Sequence, residues 1–480
     1  MNTHSPNPLR RIKSAALTLT LLTAAALAQN PIPQIVGPVN PDAVPPGGPD
    51  FTLSVYGANF VPGATVNWNY HPRTTTYISA HELQAQILST DISNNTAGYI
   101  TVTNPAPGGG SSSASWAQVE VHDPVSTIVM NSPTYYFFGF WQLLVADFNH
   151  DAILDLVDGY DLDLGTGKGS FTISSGVDRH YLSPWQIAYG DFNNDGNLDV
   201  AAGSALGSID DFEPTRMDIM LGNGKGTFTA GPPIWSHEDN LTFVVAGDFN
   251  QDGNLDLVAR GANLTTYLGE GNGRFRPGAH YPYIAHEMLA GDFNGDGKLD
   301  LILLKTNVSN SNMTLSFVEG NGDGTFKAPQ GIAVVPYTGP CSDGAPALQL
   351  SDFNGDGKLD LAFCDSSQIG VMLGNGDGTF QTPIFYTADP LNQGQFTFAI
   401  GDINADGKPD LLVSEYQDFN NPQFVVFLGN GDGTFQSPLT VSIAQVPLPE
   451  PGITVGDFNS DGLLDFIYQS EGGMDVFLQQ

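Results

Sequence analysis

The sequence predicts an all-β protein: a seven-bladed β-propeller preceded by a small β-sandwich, behind an export signal. Three observations carry this. A nine-residue acidic loop recurs seven times, a Gly-rich turn follows each of the first six copies, and residues 31–122 show strand-like alternation without either repeat. The 56 Gly and 33 Pro among 480 residues suit many short strands joined by tight turns.

The acidic loop reads Asp-Phe-Asn-Gly-Asp-Gly-Lys-Leu-Asp at 292–300 and again at 352–360. Its first position is Asp147, Asp191, Asp248, Asp292, Asp352, Asp402 and Asp457. Its third is Asn149, Asn193, Asn250, Asn294, Asn354, Asn404 and Asn459. Its fifth is Asp151, Asp195, Asp252, Asp296, Asp356, Asp406 and Asp461. Its ninth is Asp155, Asp199, Asp256, Asp300, Asp360, Asp410 and Asp465. Alternate oxygens on a tight loop wrap a hard cation, so the expected cofactor is structural Ca²⁺, up to seven ions. The seventh position is Ile153, Asn197, Asn254, Lys298, Lys358, Lys408 and Leu463. A position that accepts Ile and Lys offers its backbone carbonyl, not its side chain. The sixth is Gly in every copy but the first, where Ala152 stands. A Cβ held in the left-handed region costs roughly 1–2 kcal/mol, so the site at Asp147 is expected to be the weakest.

Calcium loops flanked by helices need a further ligand at position 12. Here that position is Asp158, Ala202, Ala259, Leu303, Phe363, Val413 and Tyr468. The flanks, such as Leu143-Leu144-Val145-Ala146 and Leu156-Val157, are short apolar runs that read as strands. The loop therefore joins two strands of a hairpin.

The Gly-rich turn, Leu-Gly-Asn-Gly-Lys-Gly-Thr-Phe at 221–228, recurs with variation at 164–171, 268–275, 319–326, 373–380 and 428–435. Each unit is then strand, cation loop, strand, variable loop, strand, Gly-rich turn, strand. First aspartates follow one another at intervals of 44 to 60 residues. A four-stranded unit repeated seven times closes into a propeller. The seventh unit lacks the turn, and residues near Ser126–Met130 are expected to supply its fourth strand, joining both ends of residues 125–480 in one blade.

The units resemble the FG-GAP/VCBS repeats of the integrin α-subunit propeller, a likeness that covers about 125–480 and implies a Ca²⁺ loop in each blade. Ile403 and Pro409 depart from the usual Phe and Leu in the sixth copy. Residues 31–122 are similar to the IPT/TIG family through Gly57-Ala58-Asn59-Phe60-Val61-Pro62-Gly63 and Thr103-Asn104-Pro105. That resemblance implies an immunoglobulin-like β-sandwich acting as a spacer or stalk.

The formal charge is −35, with 16 Lys and Arg against 51 Asp and Glu. Such a balance argues against nucleic acid, which needs clustered basic groups. Residues 1–28 read as a signal peptide: Arg10, Arg11 and Lys13, an apolar stretch from Ser14 to Leu27, and an Ala26-Leu27-Ala28 cleavage site. The expected location is secreted, periplasmic or cell-surface, with no stable membrane insertion after cleavage. Cys341 and Cys364 form either a disulfide or two buried thiols.

Partner recognition is expected on the face opposite the cation loops, where Trp141, Trp185, Trp235 and Tyr283 could stack on a sugar or anchor a protein, or could instead pack between blades. No Ser-His-Asp order, zinc-protease helix motif or nucleophile elbow is present, so a non-enzymatic monomer binding an extracellular protein or glycan is expected. A lectin is the first alternative and a polysaccharide hydrolase or lyase the second. For the latter, acidic pairs at Asp210-Asp211 and Glu238-Asp239 would be the acid/base candidates.

Overall fold

The structure is a computed structural model of the 480-residue chain. It describes residues 30–480 except 36–38, 113–116, 137–142, 158–161, 175–186, 205–214, 237–240, 242, 262, 308, 310, 338–340, 342–346, 366, 389–395, 417–421, 442–448 and 471–472. The signal segment, Trp141, Trp185 and both acidic pairs lie outside the described residues. The described residues contain no α-helix.

Residues 34–121 form two sheets around one core. One sheet holds Gln34–Ile35, Phe51–Ala58, Thr74–Tyr77 and Glu82–Ile87, and the other is built on Thr65–Trp68, Thr96–Asn104 and Gln118–Val121. Alternate residues Leu53 and Val55, Leu83, Ala85 and Ile87, and Val119 and Val121 meet between the sheets, as the two-residue period of a strand requires.

The remaining strands form seven antiparallel sheets, six of four strands and one of five. Sheet 1 contains Leu144–Ala146, Asp155–Val157, Leu162–Gly165 and Phe171–Ile173, and sheets 2 to 6 follow in the same order. Sheet 7 takes Pro449–Gly456, Asp465–Ser470 and Gly473–Phe477 from one end of the chain and Thr134–Tyr136 from before sheet 1. The completing strand thus falls later than the expected 126–130. Met130 makes only a single bridge to Gln479, and the regular ladder resumes at Thr134↔Val476. Pro133 lies between them and has no N–H to give to a ladder.

One register holds in all seven sheets. The ninth loop aspartate pairs with the last residue of the inner strand, as in Ala146↔Asp155, Gly190↔Asp199 and Gly456↔Asp465. Its two oxygens then bind backbone N–H groups on both sides. In sheet 3, Asp256 Oδ2 accepts from Phe249 at 3.1 Å and Oδ1 accepts from Gly269, in the Gly-rich turn, at 2.8 Å. The same bridge recurs through Asp155, Asp199, Asp300, Asp360 and Asp410. The two sequence repeats are therefore parts of one hydrogen-bonded unit.

Neighbouring sheets are stitched by the same parts. The Gly-rich turn of one sheet donates from Gly to the carbonyl of the second loop residue in the sheet before it: Gly273 to Phe192, Gly324 to Phe249, Gly378 to Phe293 and Gly433 to Phe353. The turn's Phe packs edge-on against that same Phe, as in Phe275–Phe192 and Phe435–Phe353. Gly169 of sheet 1 donates to Phe458 of sheet 7, so the last sheet is joined to the first.

Sheet 7 lacks the turn and sheet 6 lacks the Phe, and these two departures meet at one junction. Gln479 donates its backbone N–H to Asp465 Oδ1 at 2.8 Å and its side-chain Nε2 to the carbonyl of Ile403 at 3.0 Å. One glutamine replaces the glycine donor. The inner strands enclose a central channel of about 560 Å³ that touches all seven, at Leu144, Ile187, Val244, Met288, Leu350, Ile400 and Val455.

Candidate metal loops and the docked sandwich

Each cation loop is organised around its first aspartate. In sheet 3, Asp248 Oδ1 accepts from the N–H of Asp252 at 3.1 Å and Oδ2 from Gly253 at 3.0 Å. Asn250 Oδ1 also accepts from Asp252, and Asp252 Oδ1 accepts from Asn254. Two residues of each loop are left-handed, at positions four and six, for example Gln251 (φ 57°) and Gly253 (φ 85°). Ala152 adopts φ 64°, the strained conformation expected of it.

The seventh side chain has a role that the ligand pattern did not reveal. Lys298, Lys358 and Lys408 each place Nζ 3.0 to 3.4 Å from the fifth aspartate. In sheets 2 and 3 the seventh residues Asn197 and Asn254 donate to that aspartate at 2.8 Å, and in sheets 1 to 3 the Asn149, Asn193 and Asn250 amides donate to it as well.

Burial pushes the ninth carboxyls up, to about 8 at Asp155, Asp199, Asp256, Asp300 and Asp410, about 7 at Asp360 and about 9 at Asp465. Their backbone N–H partners pull the other way, and the loop's other carboxylates add to the rise. Burial likewise raises Asp248 to about 7 and Asp402 to about 9. Crowded, desolvated carboxylates of this kind favour a bound cation.

Among the described residues no three Asp, Glu, His or Cys side chains are grouped so as to hold a metal ion by themselves. The residues that could hold one are therefore a mixed oxygen set: the first and fifth aspartates, the asparagine and the seventh carbonyl, with the ninth aspartate shared with the backbone. That chemistry suits a hard cation.

The sandwich does not stand away from the sheets as a stalk; it rests on the cation-loop face. Tyr70, in a turn where it and Asn69 are both left-handed, donates to Asp147 Oδ2 at 2.9 Å and packs its ring, tilted, 5.1 Å from that of His150. The backbone of Ile32 donates to Asp248 Oδ2 at 3.1 Å. His81 Nδ1 sits 2.7 Å from Asp292 Oδ2, and that hydrogen bond raises the His81 pKa. Asp42 comes up to Gly407 of the sixth loop, and Val125, just past the sandwich, donates to the carbonyl of Asn404 at 2.9 Å. Tyr56 lies over Gly357, and the carbonyls of Val121 and Thr96 crowd Gly462. Six of the seven loops are contacted in this way. No hydrogen bond or ion pair joins the second loop to the sandwich among the described residues. The short sequence runs around Tyr70 and His81 carry no motif, so nothing local signalled this docking.

The other predicted residues divide. Trp235 is 54% exposed on the added strand Ile234–Ser236, with the Arg216 guanidinium 5.8 Å from its ring. Tyr283 is spent on packing, stacked on Tyr281 at 5.3 Å and set against the core between sheets 3 and 4. Cys341 and Cys364 are joined in a disulfide. No helix among the described residues is long and apolar enough to cross a membrane.

The chain matches the FG-GAP-like repeat over residues 207–259 and 352–413, so two stretches of the β-propeller carry that repeat. No curated protein matches it in sequence. An Agrocybe aegerita lectin that recognises non-reducing terminal N-acetylglucosamine is similar at 19% identity and TM-score 0.45, covering 68% of this chain and 87% of the lectin. The periplasmic gluconolactonase of Pseudomonas aeruginosa is similar at 15% identity and TM-score 0.41, covering 70% and 95%. The Aleuria aurantia lectin, solved with Fucα1-6GlcNAc, is similar at 14% identity and TM-score 0.34, covering 62% and 94%. Superpositions this loose transfer no site.

Proposed function

We propose that the chain is an exported, calcium-stabilised recognition protein: a seven-bladed FG-GAP propeller, capped by an IPT/TIG-like sandwich, that binds a protein or glycan on the face opposite its cation loops. The observation that carries this reading is the docking of the sandwich. It occupies the cation-loop face through six of the seven loops, which leaves the opposite face to a partner and gives the ions a structural task. The ions hold loops on which a second domain sits.

We read the protein as non-enzymatic, because the loop carboxylates serve turns and backbone hydrogen bonds. A lectin is the second reading, and exposed Trp235 beside Arg216 supports it, since an indole face with an adjacent guanidinium suits a sugar ring and its hydroxyls. Binding of the mature chain to a broad glycan array, with Ca²⁺ and with chelator, tests both. Calcium-dependent binding to one sugar class, lost in Trp235→Ala, is the outcome expected of a lectin. Silence in both conditions from folded protein leaves a protein partner. Turnover of a polysaccharide, abolished by Glu238→Gln, would overturn the non-enzymatic reading.

A further inference from the structure

The central channel is a blind pocket with an acidic floor. The sandwich closes its cation-loop end with Gln34, Asp42, Gln118 and Glu120, and Asp402 of the sixth loop joins them. The walls are the aliphatic inner strands. The ionisable carboxyl groups among the described lining residues are Asp42, Glu120, Glu287 and Asp402, and that lining includes no Lys, Arg or His.

Glu120 is the informative member. Its strand alternates, with Val119 and Val121 turned into the sandwich core and Gln118 and Glu120 turned to the channel. Only 4% of Glu120 is exposed, and its Oε2 has no hydrogen-bond partner among the described residues. Among charged groups, Asp402 and Asp42 act on it most strongly. A buried carboxylate without a partner costs several kcal/mol, more beside others of its sign, so something positive or donating belongs there.

The walls above these carboxylates are aliphatic, and a bare ion would leave them unused. A larger cation can spread several N–H bonds over separated carboxylates while its body lies along aliphatic walls. We propose that the channel binds a small organic ammonium, a protonated primary amine on an apolar body, with Glu120 and Asp42 as its anionic partners. The volume of about 560 Å³ is in the range of small-molecule sites. This site is separate from the partner face proposed above and does not depend on it.

The test is calorimetric titration of the calcium-saturated mature chain with hexylamine, with hexan-1-ol and hexanoate as uncharged and anionic controls. Hexylamine is expected to bind one-to-one, about tenfold or more tighter than hexan-1-ol, the margin of one charge-assisted hydrogen bond. Hexanoate is expected not to bind. Glu120→Gln keeps the side-chain shape, removes a buried charge and should retain or raise Tm while losing that margin. Asp42→Asn provides a second reading should the first variant fail to fold. Equal binding of amine and alcohol would overturn the proposal, as would amine affinity unchanged in both variants. Loss of one calcium equivalent in Glu120→Gln without any amine binding would also overturn it, since a bare ion would then occupy the floor.

Discussion

The second and sixth cation loops share a motif and a register, yet they sit in opposite surroundings. Asn193 is partly accessible and Asn194, Asp195 and Gly196 are exposed, and no hydrogen bond or ion pair reaches that loop from the sandwich among the described residues. Asp402 and Asn404 are buried, Val125 bonds the Asn404 carbonyl, and Asp42 and Glu120 stand against Asp402. Burial raises Asp191, but it drives Asp402 to about 9, with the charge of Asp42 next in order. The same loop motif thus bonds only to the neighbouring sheet in one case and forms a domain interface in the other. What distinguishes them is what the sandwich brings.

The largest expected effect tests whether the loops are held by ions at all. An ion at a hundred times its Kd adds about 2.7 kcal/mol to the folded state. Several such sites lost together should lower Tm by well over roughly 10 °C in excess chelator. Differential scanning calorimetry with and without chelator decides it, and an unchanged Tm removes calcium from the account.

The bridging aspartates come next. Asp256→Ala leaves the buried N–H groups of Phe249 and Gly269 without their acceptor and should cost about 2–5 kcal/mol by urea unfolding, with Ca²⁺ present or absent. A loss seen only with Ca²⁺ would make Asp256 a ligand first and a bridge second.

The comparison of covered and free loops is sharpened by one pair of substitutions at the sixth loop position. Gly196 and Gly462 are both left-handed, at φ 88° and 87°. A Cβ on Gly196 meets nothing within 4 Å, whereas on Gly462 it falls 2.5 Å from the Val121 carbonyl. Gly196→Ala should therefore cost only the backbone strain, about 1 kcal/mol. Gly462→Ala should cost more and loosen the sandwich, read as faster proteolysis between residues 121 and 134. Equal costs would mean that the docking carries no energy. Ala152→Gly reverses the strain and should gain up to about 1 kcal/mol.

The smallest effect is a pH dependence at the other end of the channel. Glu287 is raised to about 7 by burial, although the Ala347 N–H lies 2.9 Å from both its oxygens and pulls the other way. Its folded pKa lies above the unfolded value, so the folded state binds the extra proton. This contribution to stability is complete below the unfolded pKa and is lost as pH rises through about 7. Glu287→Gln should flatten that slope and stabilise the protein at pH 8 by on the order of 1 kcal/mol, since the channel partly solvates the group. An unaltered pH profile would place the carboxyl in water.

Much of the architecture was legible in the sequence because it is written in local chemistry. The loop residues Asp-x-Asn-x-Asp-Gly, the glycines of the following turn and the two-residue alternation of the flanking strands each act within one hairpin, so repetition alone exposed the sheets. The departures at Ile403 and at the missing seventh turn were visible too, but their joint solution by Gln479 spans 76 residues and has no local sign. The completing strand was placed a few residues early for a similar reason, since its register is set by Gly473–Phe477 and not by its own pattern.

By itself the sequence determined the unit: a hairpin with an oxygen-rich loop, a Gly-rich return, and the number of times each occurs. Only the tertiary structure decided that the ninth aspartate binds two backbone segments, that the sandwich sits on the loops and that a channel with an acidic floor lies beneath it. Those features depend on side chains such as Tyr70 and Asp147, 77 residues apart, or Ile32 and Asp248, 216 apart. Turn geometry is set by neighbours along the chain. A docked face is set by which surfaces remain to be buried once every hairpin has formed.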